Sequence, residues 1–148
     1  MSRPKDIGTR FESACRAYVR AATGCDCERS ALHGNRDVGD LGGLASASGL
    51  RGVAECKAGA QAIAAQPADV AEWRRQTEVE RANAGADFAW LLLKTKGAGE
   101  ARMGRTRCDM TLRSLRLLAD GGEPSPESAG VWVTLTLDDA CWLLGGHE

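Results

Sequence analysis

Residues 37–57, DVGDLGGLASASGLRGVAECK, decide how this chain folds, because an acidic residue, a turn of small residues and an apolar run ending in ECK follow one another. If Ala47 and Ser48 form the tip of a hairpin, Asp40 lies directly opposite Glu55. Like charges that face each other destabilise a strand pair unless a cation lies between them. The stretch therefore predicts a divalent metal ion between the two carboxylates.

Because side chains alternate along a strand, the charged residues of this hairpin can be assigned to the two faces of the sheet. Glu55 and Lys57 lie on one face of the predicted sheet, and Cys56 lies on the other. Asp37 projects to the face opposite Asp40, and we interpret it as a turn residue. The glycines at positions 42 and 43 indicate a bulge, which would move Asp40 away from Glu55.

Hydrophobic periodicity and end signals divide the rest of the chain into helices and strands. Thr9 is the predicted N-cap of the first helix, with Glu12 in a capping box, so the helix terminus alone explains that carboxylate. Pro67 and Asp69 predict the start of a helix that ends near Ala84. The remaining predicted elements are strands at 25–32, 88–93, 107–112 and 131–135, and helices at 114–119 and 138–144.

A chain of 148 residues with 43% hydrophobic and 26% charged residues is typical of one globular domain. No apolar run approaches the roughly 20 residues that span a membrane, and the N-terminus lacks the apolar core of a signal peptide. We therefore expect a cytoplasmic protein without a membrane partner and with reduced thiols. Among the six cysteines, Cys25 and Cys27 are the only close pair, and a zinc module built on them ranks last among the alternatives.

Charge is distributed unevenly, although the net charge is only −1. Residues 1–36 carry seven Lys or Arg and four Asp or Glu, residues 37–93 carry five and eight, and residues 94–118 carry seven and two. The pattern suits an acidic metal site with a positive approach for phosphates, and ordinary solvated faces explain it equally well. The Gly-rich segment KGAGEARMGRTR at 96–107 is either a flexible arm that touches the DNA backbone or a solvated hairpin tip.

An acidic residue, followed on a strand by a carboxylate and a lysine with one residue between them, suits metal-dependent cleavage of phosphodiesters. Carboxylate oxygens are ligands that Mg²⁺ prefers, and its shell keeps waters and can bridge a phosphate. The ion lowers the pKa of a bound water and stabilises the developing charge. A neighbouring lysine positions that water or neutralises the transition state.

Several short segments form a recognisable set, namely GDL at 39–41, ECK at 55–57, GTRFE at 8–12 as a glutamate motif at a helix start, and DVAEWRRQTEVERANAGA at 69–86 followed by FAWLLLKTKG at 88–97. Together they resemble the PD-(D/E)xK nuclease superfamily, and in particular its archaeal-type and phage-encoded Holliday junction resolvases. The resemblance covers roughly residues 7–97 and the final strand and helix, and the segment 97–130 matches nothing in it.

The resemblance implies an α/β, single-domain restriction-endonuclease-like fold over residues 1–148, in which helices flank a mixed central β-sheet. Residues 97–130 would be a variable basic loop and insertion. It also implies a homodimer, because resolving a four-way junction requires two symmetric nicks. If the protein is phage-encoded, the expected compartment is the host cytoplasm.

The same resemblance assigns roles to individual residues. Asp40 and Glu55 would bind Mg²⁺, for which Mn²⁺ can substitute, with the main-chain carbonyl of Cys56 as a further ligand. Glu12 would complete the metal environment, and Lys57 would supply the positive charge beside it. The resemblance therefore implies a metal-dependent DNA endonuclease that resolves Holliday junctions by paired nicks.

Contacts to DNA are predicted for residues with basic or amide side chains near this site. Arg36 has a planar fork suited to phosphate, and Gln76 shares a helix face with Trp73. His33 is a weaker candidate for a catalytic role. The complete set of predicted DNA contacts is Arg10, Arg36, Gln76, Lys94 and Lys96.

Besides the zinc module, two other functions remain open. One is a different nuclease of the same superfamily, such as a restriction-like, repair or end-processing enzyme, since substrate choice lies in loops and in the dimer interface. The other is a DNA-binding or assembly protein that keeps the scaffold without catalysis. Comparing cleavage of a four-way junction, a duplex and a flap separates these alternatives.

Overall fold

The computed structural model describes residues 3–30, 37–122 and 125–145, which form six strands and five α-helices. Two 3-10 turns lie at Glu100–Arg105 and Pro126–Gly130. The strands are β1 (Glu28–Arg29), β2 (Leu41–Ala45), β3 (Arg51–Lys57), β4 (Phe88–Leu93), β5 (Arg107–Thr111) and β6 (Trp132–Thr136). The helices are α1 (Pro4–Thr23), α2 (Gly59–Ile63), α3 (Pro67–Ala84), α4 (Leu112–Asp120) and α5 (Leu137–Leu144).

The six strands form one sheet in the order β1 to β6, and only β3 and β4 run parallel to each other. Parallel neighbours need a long crossover, which α3 provides. Every residue of β4 is buried, as its uninterrupted apolar sequence FAWLLL predicts for a strand covered on both faces. The predicted mixed central sheet flanked by helices is therefore confirmed.

Helices cover both faces of the sheet. On one face, α1 and α5 pack against the sheet through residues such as Phe11, Cys15 and Leu137. On the other face, Val70 and Trp73 of α3 pack against β4. No described helix is long and apolar enough to cross a membrane. The restriction-endonuclease-like assignment of this α/β architecture stays a prediction.

The register of the β2–β3 hairpin changes along its length. Near the tip Ala45 pairs with Arg51, which is one residue away from the predicted register, whereas Leu41 pairs with Ala54 as predicted. The change occurs at a bulge where Gly43 has a φ of 76°, a conformation that glycine adopts without strain. The expectation that this bulge moves Asp40 away from Glu55 is wrong. The pairing near the tip is shifted by one residue, and the bulge restores the predicted register before Asp40 is reached.

The start of α1 differs from the prediction. The helix begins at Pro4, with Arg3 as its N-cap, because proline is well suited to the first helical position. Thr9 and Glu12 therefore lie inside the helix, and the predicted capping box is wrong. As a consequence, a helix terminus no longer explains the carboxylate of Glu12.

Helix α3 and strand β4 have the predicted bounds, but other elements differ. Of the strand expected at 25–32, the residues Glu28–Arg29 form β1, whereas residues 25–27 and 30 are not in a strand and residues 31–32 lie outside the described residues. Helix α2 forms where no element was predicted. The segment 96–107 forms neither the flexible arm nor the solvated hairpin tip that was predicted, since Ala98 is 2% and Met103 is 7% exposed. Its 3-10 turn packs against α1 and α5.

Candidate metal centre

Five carboxyl groups meet where the start of β2 and the end of β3 lie between α1 and α3, and we call them the carboxylate cluster. Glu12 comes from α1, Glu55 from β3 and Glu80 from α3, while Asp37 and Asp40 precede β2. Each of them interacts with at least one other member of the cluster. Distant parts of the sequence thus bring the acidic side chains together.

Glu55 and Glu80 form the buried centre of the cluster, with 6% and 3% of their surfaces exposed. Burial raises the pKa of Glu55 far above its usual range, and interactions with Asp40 and Glu80 raise it further. The pKa of Glu80 is raised to about 7, mainly by burial and in part by Asp37, although a hydrogen bond from Glu55 opposes the rise. Near neutral pH, Glu55 therefore holds a proton that it donates to Glu80.

Asp37 belongs to the cluster, and its predicted projection away from the site is wrong. One carboxylate oxygen each from Asp37, Glu55 and Glu80 lie within 4.8 Å of one another. The interpretation of Asp37 as a turn residue is correct in itself, since its side chain accepts a hydrogen bond of 3.0 Å from the N–H of Gly39. Its backbone carbonyl also accepts a hydrogen bond of 2.9 Å from the side chain of Asn83 on α3.

Asp40 links the two faces of the sheet. Its carboxylate accepts a hydrogen bond of 2.8 Å from the backbone N–H of Cys56, which fixes it beside β3. It interacts with Glu55 and also with Glu12, whose pKa is raised by burial first and by Asp40 second. The predicted proximity of Asp40 and Glu55 is confirmed.

Lys57 follows Glu55 on the same face of β3, but its ammonium group lies over the ring of Trp73, 5.8 Å from the centroid. It forms no ion pair with any described residue. Cys56 was expected to contribute its main-chain carbonyl group as a metal ligand, and the contact that it makes with Asp40 is through its N–H. Lys57 therefore lies on the same strand face as Glu55 but forms no ion pair with the described members of the carboxylate cluster.

The predicted DNA contacts lie in different places. Arg10 and Lys94 line one pocket between α1 and the segment after β4, and Lys96 lines the groove that adjoins it. Gln76 is half-buried on α3, about one turn before Glu80. Arg36 and His33 lie outside the described residues.

The donor atoms of the cluster fit a divalent cation. Oε2 of Glu80 is buried and has no hydrogen-bond partner among the described residues. Among the described residues, one ion pair involves a member of the cluster, and it joins Arg29 to Glu12 at 3.5 Å. Closely spaced carboxylate oxygens with so little compensating charge are suited to Mg²⁺ or Mn²⁺.

Sequence reasoning did not assign Asp37 and Glu80 to the site. A signal for Glu80 exists, because it continues the helical spacing of Trp73 and Thr77, and all three are buried. A carboxylate on the buried stripe of a helix requires a partner.

Cys25 and Cys27, on which the alternative zinc module would be built, belong to no group of three metal-ligating side chains within the described ranges.

The chain was compared with protein families, with curated proteins and with solved structures, and none of the three comparisons finds a match.

Proposed function

We propose that the protein is a Mg²⁺-dependent DNA endonuclease of the cytoplasm that cuts branched DNA. The observation that supports this function best is the position of Asp40, which the N–H of Cys56 fixes between Glu12 and Glu55. Three further observations agree with it, namely the buried Glu80, the absence of an ion pair between Lys57 and any described carboxylate, and the basic residues at the neighbouring pocket.

The carboxylate cluster would hold the metal ion. Asp40 and Glu55 are the ligands we assign, with Glu12 completing the environment, and Mn²⁺ would bind the same oxygens. When bound, the ion supplies a water of lowered pKa and stabilises charge on the phosphate. Binding requires that Glu55 lose its proton to the solvent, because a protonated carboxyl group is a poor metal ligand.

Lys57 would provide the positive charge beside the reacting phosphate. Its ammonium group rests on Trp73 and is not neutralised by any described carboxylate, so it remains available to an anion. A fixed positive charge close to the phosphate stabilises the transition state more than the ground state. Lys57 therefore contributes to the rate rather than to metal binding.

Basic residues around the site would hold the DNA backbone. Arg10, Lys94 and Lys96 lie at the end of the sheet where Lys57 is located, and none of them forms an ion pair with a described residue. Such contacts give affinity without sequence preference and weaken as salt increases. A two-fold symmetric dimer would present two such sites to a four-way junction.

Cleavage of defined DNA substrates tests this proposal. The purified protein is incubated with a four-way junction, a linear duplex and a flap, each with Mg²⁺ and with chelator. We expect symmetric nicks near the crossover of the junction in Mg²⁺ and no products in chelator. Preferential cutting of the duplex or flap would favour another nuclease class, and no cleavage of any substrate with Mg²⁺ or Mn²⁺ would refute the nuclease assignment.

A further inference from the structure

A pocket of about 350 Å³ lies between α1, α2 and the segment that follows β4. Pockets of this size with mainly apolar walls bury flat groups of small molecules. The apolar part of the wall includes the side chains of Ile7, Phe11, Ala14, Ala60, Ile63 and Met103.

Two cationic side chains belong to the wall of this pocket. Arg10 and Lys94 form no ion pair with any described residue, and the ammonium group of Lys94 lies 5.9 Å from the centroid of the Phe11 ring. Lys96 and Arg102 line the groove next to it. The acidic residue of the wall is Glu100. An apolar cavity with an excess of positive charge favours a flat apolar group that is attached to an anion.

The pocket adjoins the end of β3 that carries Lys57. The backbone N–H of Lys94 donates a hydrogen bond of 2.9 Å to the carbonyl group of Lys57. Gly59, two residues after Lys57, lines the pocket, as does Phe11, which precedes Glu12. A polymer that places one phosphate at the carboxylate cluster can therefore place a neighbouring group in the pocket.

We propose that the pocket binds one unstacked nucleobase of DNA, and that Arg10 and Lys94 bind the phosphates next to it. The identity of the polymer rests on the proposed nuclease function. The new element is the substrate feature, namely an unpaired nucleotide rather than an intact duplex. Stacked and paired bases are not free to enter a side pocket, whereas a bulged base or a branch point offers one at low cost.

Binding to a bulged duplex tests the proposal in chelator, where no metal-dependent cleavage occurs. One duplex carries a single bulged adenine, and the matched duplex carries an abasic site at that position. We expect the wild-type protein to bind the adenine bulge about fivefold or more tightly, which is the lower end of what one base contributes on a protein surface. Equal affinities for the two duplexes would overturn the proposal.

Variants that fill the pocket give the second part of the test. Ala14→Leu should reduce the ratio of the two affinities to about one, and Ala60→Leu, at a more exposed part of the wall, should do the same if the first variant folds poorly. Ala21→Leu, on the exposed face of α1 outside the pocket, should keep the wild-type ratio. Arg10→Ala should weaken the binding of both duplexes equally. A wild-type ratio in both pocket variants would contradict the proposal.

The result of the binding test does not depend on whether the protein cleaves DNA. A protein that prefers the bulged base but cuts no DNA would refute the nuclease function and leave the base pocket in place. A protein that cuts junctions but binds the two bulged duplexes equally would refute the base pocket alone.

Discussion

Glu55 of β3 and Glu80 of α3 share a hydrogen bond in the interior of the protein, and the carboxyl group of Glu55 remains protonated because burial raises its pKa far above its usual range. None of the ion pairs among the described residues includes either glutamate. Two buried acids without a basic partner are costly for a protein that only has to be stable. The arrangement is consistent with a site kept for a cation.

The first prediction concerns stability without metal. In chelator, the free energy of unfolding should fall as the pH rises from about 5 to 7. Both glutamates ionise near their ordinary pKa of 4.5 in the unfolded chain, whereas the folded protein retains their protons to higher pH. The folded state therefore binds more protons in this range, and each group lowers stability by up to about 1.4 kcal/mol per pH unit. Chemical denaturation at several pH values measures the fall.

Two variants of α3 serve as the test and its control. Glu80→Gln should flatten the fall between pH 5 and 7, because it removes one of the two groups that keep a proton. Glu72→Gln should leave the fall unchanged, because Glu72 is exposed and paired with Arg75 on the same helix. A fall that is equally steep in both variants would contradict the titration of Glu80.

The second prediction concerns the metal itself. Binding of Mg²⁺ should raise the unfolding midpoint and release about one proton per ion near neutral pH, because Glu55 must be deprotonated to become a ligand. Calorimetric titration in two buffers with different ionisation enthalpies measures this proton release. Heats that do not depend on the buffer would show that the protonated pair is not part of the metal site.

The proximity of Asp40 and Glu55 could be predicted because it follows from local rules. A hairpin pairs residues at symmetric positions around its tip, and an uninterrupted apolar run such as that of β4 marks the centre of a sheet. Helix α3 was equally predictable, since Pro67 starts it and Gly85, with a φ of 65°, ends it. In each case residues close in sequence determine the outcome.

The positions of Asp37 and Glu80 could not be predicted in the same way, although the helical spacing of Glu80 indicates that its side chain is buried. Which residue of α3 reaches β3 depends on how the helix lies across the sheet, and periodicity does not specify that angle. The start of α1 was missed for a different reason, because Thr9 is also a good N-cap by composition. Pro4 prevails because a longer helix satisfies more backbone hydrogen bonds, including that from the N–H of Ile7 to the carbonyl of Arg3.

The third prediction concerns Asp40. Asp40→Asn should abolish cleavage while leaving DNA binding within about twofold, since the amide oxygen can still accept the hydrogen bond from Cys56 but is a poorer ligand for Mg²⁺. Cleavage rates and affinities for the same labelled junction measure the two effects. Asp6→Asn, on the exposed start of α1, is the control with the same chemical change. Full activity of Asp40→Asn in Mg²⁺ would refute its assignment as a ligand.

The fourth prediction concerns Lys57. Lys57→Met should lower the single-turnover cleavage rate by about 100- to 1000-fold, which is typical for the loss of one group that stabilises charge in a transition state. The affinity for Mg²⁺ and the unfolding midpoint should change little, because methionine keeps an apolar contact with Trp73 in place of the lysine stem. A loss of metal affinity as large as the loss of rate would show that Lys57 acts on the ligands instead.

The fifth prediction compares two glycines of the hairpin. Gly43 and Gly49 both have a positive φ, so alanine at either position costs about 1 to 2 kcal/mol of backbone strain. A Cβ at Gly49 meets no neighbouring atom, whereas a Cβ at Gly43 would overlap the backbone carbonyl oxygen of Asp26. Gly43→Ala should therefore destabilise the protein more, and it should also weaken Mg²⁺ binding, because the bulge at Gly43 sets the register that brings Asp40 to Glu55. Denaturation and metal titration of both variants test this, and equal Mg²⁺ affinities in the two would show that the bulge does not position Asp40.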